Sequence, residues 1–426
     1  MLSAKQHNSS LQNKVDALIQ EAARGPLPAV GFQAYTRDGN PIVSSFAGVL
    51  SREEDPPTPV TPDTVVSLAS CTKLLTSIAV LQLVDRGLLA LDDPVGKFFP
   101  QADKLEIIEG YGEDGKAKLR KPTRRMTIRH LLTHSTGLAY SFSSPVVSRW
   151  VRENKGAVPG AGPGTASSPV DNLFSVLLFE PGEDFVYGPN IDIAGLIVEA
   201  VSNLSLEDFI RENIAAPLHV DQHVSFFNNG FAQAGRLAST YKRAPDGLLT
   251  RIPPQLSAKR EGIYVCAGGH GLYSTAPAYS QVLLALVNEG VHPKTRARIL
   301  TAESVALMAT PQFDAFTAQK AEAGLSIAGV FANPEAIPGH SWHNFRSVKK
   351  NHGLAGAIMG EGWKTGRSVH SLAWIGMSNT NWWIDLEKGV VGFFMAQVFP
   401  LGDPHALGLS EQLETAVYDH LAAKDA

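Results

Sequence analysis

The segments of this chain with strand character lie at its two ends. "AVGFQAYT" (29–36) and "PIVSSFAGV" (41–49) flank "RDGN", whose Asp38-Gly39 pair is a strong hairpin signal. "VVGFFMAQV" (390–398) is continuous and apolar, as a central strand should be, and just before it "SVHSLAWIG" and "NWWID" flank an "MSNT" turn. Between these ends the pattern is helical. "LTSIAVLQLVDRGLL" (75–89) is apolar almost all round and predicts a buried helix. "MTIRHLLTHSTGL" (126–138) reads as a short helix stopping at Gly137. Asn190 reads as the cap of a helix carrying Ile193, Ile197 and Val201, and "SLED" (205–208) caps another. Leu11, Val15, Leu18, Ile19 and Ala22 recur at helical spacing, with Ser9 or Ser10 as N-cap, and "SEQLETAVYDHLAA" places Leu413, Val417 and Leu421 on one face. A sheet whose strands come from both ends forces the middle of the chain out as an insertion. The expected fold is therefore α+β: an antiparallel sheet flanked by terminal helices, plus an inserted, mainly helical lobe. The boundaries predicted are 1–75 with 255–426 for the α/β lobe and 76–254 for the helical lobe, with the site between them. A chain of 426 residues is too long for one compact core and is consistent with two lobes.

Composition narrows the function. A net charge of -4 gives no bulk attraction to phosphate backbones, so a nucleic-acid partner is not expected. Two cysteines, Cys71 and Cys266, exclude a disulfide framework and fit a reducing compartment. The polar start "MLSAKQHNSSLQNKVD" has no signal-peptide core and no apolar run reaches spanning length, so a cytoplasmic protein without membrane partners is expected. "REEDPPTPVTPDT" (52–64) must be a loop. "NKGAVPGAGPGTASSPVDN" (154–172), rich in Gly, Pro and Ser, is the lid candidate.

The chemistry concentrates in "SLASCTKLL" (67–75). If a helix starts near Ser70, residues three apart share a face, and Ser70 can touch Lys73. The unpaired N–H groups of the helix start favour the negative charge that develops during acyl transfer, and a buried lysine can accept the serine proton. Ser-x-x-Lys alone is a weak pattern and better describes an N-cap and a snorkelling lysine. Here the apolar run downstream leaves Lys73 little solvent-facing stripe. A second partner is Tyr187 in "FVYGPNIDIAGL", in a loop before the Asn190 helix. Loop tyrosines are usually packing residues. Beside a lysine cation, however, a phenolate is stabilised and can relay a proton.

"SLASCTKLL", "MTIRHLLTHSTGL", "VYGPNIDIAG", "GGHGLYST" and "NWWIDLEKG" occur in an order that resembles the serine β-lactamase-like family, from about Leu11 to about Leu421. That family includes class C β-lactamases, D-alanyl-D-alanine carboxypeptidases and family VIII esterases. Within the family the chain resembles the fungal transesterases and esterases of the lovastatin side-chain acyltransferase type. The resemblance implies a β-lactamase/transpeptidase-like fold, Ser70 as nucleophile, Lys73 as its base partner and Tyr187 as the general acid/base. It implies an oxyanion hole from the backbone N–H groups of Ser70 and Met377, and a pocket with Tyr140, His270, Trp374 and Gly376. The family's third box falls on Trp374-Ile375-Gly376. The literal "KTG" at Lys364–Gly366 reads as a chance match in the preceding loop. Without a box lysine and threonine the site lacks the groups that grip a β-lactam or peptide carboxylate. Pro189 stands where many β-lactamases have the Asn of Tyr-x-Asn, and Ile375 replaces a glycine of the box.

Other chemistry-bearing residues read as structural. Cys71 points about 100° away from Ser70 on a helix and is a packing residue. His130 and His134 have zincin spacing, but Leu131 replaces the glutamate and no third ligand follows, so no metal is expected. His270, between glycines, is a lining residue rather than a base. The reading is a serine acyltransferase or esterase without cofactor, acting on an ester or thioester of a hydrophobic natural product. An alcohol is the candidate acceptor, and an acyl-carrier or coenzyme A thioester a candidate donor. The alternatives are a β-lactamase or D-alanyl-D-alanine carboxypeptidase, and a non-catalytic binding protein that keeps the fold.

Overall fold

A computed structural model describes residues 4–155, 173–252, 266–314 and 350–425. Helix α1 (Ala4–Arg24) leads into the hairpin β1 (Ala29–Thr36) and β2 (Pro41–Gly48), closed through residues 37–40, where Gly39 takes a φ of 77°. Strand β3 (Val65–Ser67) opens into α2 (Thr72–Asp85). The hairpin β4 (Ile107–Tyr111) and β5 (Ala117–Arg120) precedes α3 (Ile128–Leu132), α4 (Pro145–Lys155), α5 (Asn190–Ser202) and α6 (Leu206–Ile210). Short elements follow: β6 (Val224–Ser225), α7 (Asn229–Gln233), β7 (Thr240–Arg243), β8 (Leu249–Ile252) and β9 (Tyr273–Thr275). Helices α8 (Ala276–Val287) and α9 (Ala302–Met308) then return the chain to the sheet strands β10 (Lys350–His352), β11 (Ala357–Met359), β12 (Leu372–Ile375), β13 (Asn381–Asp385) and β14 (Val390–Ala396). The short β15 (Val398–Phe399) and α10 (Pro404–Asp425) close the chain.

The main sheet has seven strands in the order β10-β11-β12-β13-β14-β1-β2, and every pairing is antiparallel. The two ends of the chain meet where β1 pairs with β14, with Val30 facing Ala396 and Thr36 facing Val390. Strand alternation sorts the side chains into two layers. Val30, Phe32, Ala34, Trp383 and Phe394 pack with Leu11, Val15 and Ile19 of α1 and Leu413 and Val417 of α10. Trp382, Phe393 and Met395 point the other way and join a core that includes α2, α5 and α8. Gly392 sits in mid-strand because a Cβ there would lie 2.0 Å from the Trp383 ring. Helix α2 is buried from Thr72 to Leu83, as its all-round apolar pattern requires. It packs against α5.

Three local expectations are corrected. Helix α1 begins at Ala4, so Ser9 and Ser10 lie inside it and cap nothing. Helix α3 ends at Leu132, five residues before Gly137, because His134 takes the left-handed conformation (φ 55°) that turns the chain. Asn190 is the first residue of α5, and its side chain bonds buried partners instead of capping. Ser205 caps α6 by accepting from the Asp208 N–H, as predicted. Of the lid candidate, residues 156–172 lie outside the described residues. The lobe boundary drawn after residue 75 falls inside the continuous helix α2. No described helix is long and apolar enough to cross a membrane.

Candidate active site

Between β3 and α2 the chain makes one turn of 3-10 helix, Ala69–Cys71. Ala69 enters it with a φ of 44°, a left-handed conformation that costs a non-glycine residue about 1–3 kcal/mol and persists only where the surroundings hold it. The surroundings do so: Leu68 N–H donates to Leu272 O (3.0 Å), and Thr72 Oγ1 accepts from Leu272 N–H (3.0 Å). The turn leaves the Ser70 side chain partly exposed at the helix start. Ser67 O, three residues earlier, accepts from Ser378 Oγ and Gln397 Nε2 (both 3.1 Å) and takes nothing from Ser70 N–H.

Three of the predicted residues converge here. Tyr187 OH donates to Ser70 Oγ (2.7 Å), and Lys73 Nζ donates to the same oxygen (3.3 Å) and to Gly269 O (2.7 Å). The ammonium also lies 4.7 Å from the centre of the Tyr187 ring. Lys73 is only 4% exposed. Tyr187 is positioned by its backbone: its carbonyl accepts from Tyr140 N–H (3.2 Å) and Ser143 Oγ (3.3 Å), and Val186 N–H donates to His134 O (3.0 Å).

The rest of the predicted set lies around this centre. Tyr140 packs edge-on against Tyr187 at 5.4 Å between ring centres, and its OH donates to Asp192 Oδ2 (3.2 Å). Burial first, then the Asp192 charge, pushes the Tyr140 hydroxyl well above the usual tyrosine range, so it stays a donor. His270 Nε2 stands 3.9 Å from Asp192 Oδ1, with burial lowering its proton affinity against the pull of that carboxylate. Trp374 tilts against Tyr187 at 5.8 Å. Gly376 touches the nucleophile turn itself: a Cβ on it would be 2.4 Å from Leu68 O and 3.4 Å from Ala69 Cβ. Its N–H is used by the hairpin, donating to Thr380 O (2.7 Å), whereas no described residue accepts from Met377 N–H. The Met377 side chain packs on the opposite side, with Ile375, Leu401 and Leu407.

"KTG" lies away from this centre. Lys364 Nζ pairs with Glu411 of α10 (2.9 Å), and Thr365 bonds Glu414. Cys71 is fully buried, and burial pushes its thiol up to about 12, which leaves it inert. His130 closes a capping box at the start of α3. His134 is bonded through Nδ1 to Asn190 Nδ2 (3.0 Å), and Asn190 also accepts from Thr136 Oγ1. The Asn190 amide is therefore spent behind Tyr187.

Sequence reading missed two groups. Behind Tyr187 stands a buried cluster of His134, Phe185 and His352, with His134 4.8 Å from the Tyr187 ring and His352 5.4 Å from Trp374. Burial holds the His352 imidazole down to about 4, and that of His134 well below its ordinary value, so both stay neutral. No sequence signal joins His352 to His134, because 218 residues separate them. Asp192 carried a signal that went unread: a carboxylate inside the apolar stretch "IDIAGLIV".

The profile of the Beta-lactamase family matches residues 15–416. The chain belongs to this family. Monacolin J acid methylbutanoyltransferase of Aspergillus terreus is 31% identical to it over 366 residues, covering 84% of this chain and 83% of that one. Lovastatin esterase of Penicillium rubens is 28% identical over 372 residues, covering 85% and 86%. Simvastatin synthase from Aspergillus terreus, as the LovD6 mutant, superposes with a TM-score of 0.82 at 27% identity, covering 97% of this chain and 96% of that one. The expected α+β, β-lactamase/transpeptidase-like fold is therefore correct, and the protein is a serine acyl-transfer enzyme of the β-lactamase family that acts on small-molecule acyl substrates.

Proposed function

We propose that the protein takes an acyl group from an ester or thioester onto Ser70 and passes it to an alcohol of a hydrophobic small molecule. The contact of Tyr187 OH and Lys73 Nζ with one serine oxygen carries this reading. Once the Lys73–Tyr187 pair has given up one proton, Ser70 Oγ attacks the acyl carbon while its own proton passes to that pair. The oxyanion forms against the N–H groups of Ser70 and Met377, neither of which has an acceptor among the described residues. The carbonyl is restored as the leaving group departs with the proton. The acceptor alcohol then enters, gives its proton to the same pair and attacks the acyl carbon; the Ser70 Oγ–acyl bond breaks, the new ester leaves and the pair returns the proton to Ser70 Oγ. Tyr140 and Trp374 set aromatic surface against Tyr187, and the family resemblance puts Trp374 in the third box, where β-lactamases carry a lysine. That surface suits an apolar acyl group or acceptor.

The relatives named as a methylbutanoyltransferase and as an esterase support a scaffold serving either outcome, set by whether alcohol or water reaches the acyl-enzyme. The test is product partitioning. With p-nitrophenyl butyrate and a graded series of hydrophobic alcohols, butyrate ester should replace butyrate as the alcohol rises, at constant p-nitrophenol release. If only butyrate forms at every alcohol concentration, the protein is a hydrolase.

A further inference from the structure

Asp192 is 4% exposed and lies in the first turn of α5, where helix N–H groups favour an anion. Among the described residues no lysine or arginine lies within ion-pair distance of it. A buried carboxylate without a contacting cation is costly unless hydrogen bonds and a nearby charge compensate it. Asp192 Oδ1 accepts from Gly269 N–H (2.9 Å), and Oδ2 accepts from Tyr140 OH (3.2 Å). A Cβ on Gly269 would lie 2.5 Å from Oδ2, so carboxylate and turn are in contact. The same peptide is held at its other end by Thr76 Oγ1, which donates to Gly268 O (2.7 Å). His270 N–H and Gly271 N–H close the turn onto Ala267 O. The next carbonyl, Gly269 O, is the acceptor that holds Lys73 Nζ (2.7 Å). The chain of contacts therefore runs from Asp192 through a clamped glycine turn to the amine beside Ser70.

We propose that Asp192 is a positioning residue of the acyl-transfer site: a buried carboxylate that fixes Lys73 on Ser70 through the 267–271 turn and balances the charge of the Lys73–Tyr187 pair. The inference rests on the assignment of Ser70 and Lys73 above. With one N–H held by Gly269 O, the amine cannot rotate away from Ser70 Oγ. The groups facing Asp192 are Tyr140, His270 and the Gly269 amide; those facing Lys73 are Ser70, Tyr187, Cys71, His134, His270 and His352. Burial holds the three histidines below their ordinary values, which leaves Asp192, among the described residues, as the anion across the turn from Lys73.

The test is the rate at which an alkyl fluorophosphonate labels Ser70 between pH 5 and 10, read by intact mass. The Oγ–P bond forms, fluoride leaves, and the serine proton passes to the Lys73–Tyr187 pair. Asp192→Asn keeps the shape and an acceptor for Gly269 N–H but removes the charge. Its plateau rate should fall about 10-fold, and the acid limb should move down by about one pH unit, because a lysine cation that loses its anion gives up its proton more readily. Thr76→Val loosens the turn without touching charge; it should slow labelling several-fold with the limb unmoved. Folding of both variants is checked by thermal melting. Labelling of Asp192→Asn within twofold of wild type with an unmoved limb overturns the proposal. If Asp192→Asn does not fold, Thr76→Val decides, and a wild-type rate in it overturns the proposal equally. A wild-type protein that is never labelled at Ser70 removes the nucleophile assignment instead, a result distinct from either.

Discussion

Replacing Gly376 by alanine should disable acylation while leaving the fold in place. The added Cβ would lie 2.4 Å from Leu68 O and 2.6 Å from Thr380 Oγ1. Ordinary contact begins at 3.4 Å, so about 1 Å of relief is needed. Thr380 Oγ1 can rotate, but Leu68 O is backbone, and its residue is pinned by the N–H bond to Leu272 O (3.0 Å). The end of β12 must therefore retreat from the nucleophile turn, and Met377 N–H retreats with it. Displacement of this size at a reacting centre costs about 10²-fold in rate, and overpacking costs about 1–3 kcal/mol in stability. The assay is p-nitrophenol release from p-nitrophenyl butyrate together with a thermal melt. The control is Gly230→Ala in α7: it is exposed and its Cβ position meets nothing within 4 Å beyond its own helix backbone, so activity should be unchanged and stability should rise by about 0.5–1 kcal/mol. If Gly376→Ala acylates within threefold of wild type at an unchanged melting temperature, β12 does not set the oxyanion geometry and the reasoning fails.

Lys73→Met and Tyr187→Phe should each lower acylation by about 10²–10⁴-fold with native melting curves, since each removes one proton carrier from Ser70. Glu414→Ala should destabilise by about 3–5 kcal/mol, because it strands the buried Arg367 guanidinium that bonds Glu414 at 2.7 and 2.6 Å; kcat per folded molecule should not change. His352 is 2% exposed, and its imidazole is held to about 4. The unfolded chain takes up that proton near pH 6.5 and the folded chain does not. Stability should therefore be full above pH 6.5 and fall by about 3 kcal/mol as pH drops towards 4, in urea titrations at stepped pH, with a shallower fall in His352→Gln.

The fold was legible where local pattern and tertiary role coincide. The Asp38-Gly39 hairpin and the all-round apolar α2 each state their environment in one stretch of sequence. Helix ends were less legible. The turn after α3 is made by His134 in a left-handed conformation, which propensity assigns to Gly137. The Ser70–Lys73 contact could be read because both residues lie within one turn of chain. Tyr187 could be offered as a second partner from its loop before the Asn190 helix, but its general acid/base role came with the family resemblance, since its link to Ser70 spans 117 residues. Asp192, His352 and the clamped turn at Gly268–Gly269 acquire meaning only when α2, α5 and the 267–271 turn are packed together, and no periodicity encodes that packing. A carboxylate in a buried helix is nonetheless a signal in its own right, because burial without partners is costly.

The central claim is a covalent acyl group on Ser70, and intact-protein mass spectrometry with peptide mapping tests it most directly. Incubation with p-nitrophenyl butyrate and rapid acid quenching should add one butyryl group to the wild-type chain, mapped to Ser70, and none to Ser70→Ala. The adduct should disappear faster when a hydrophobic alcohol is present. Butyryl on another residue, or p-nitrophenol release by Ser70→Ala at the wild-type rate, would contradict the account.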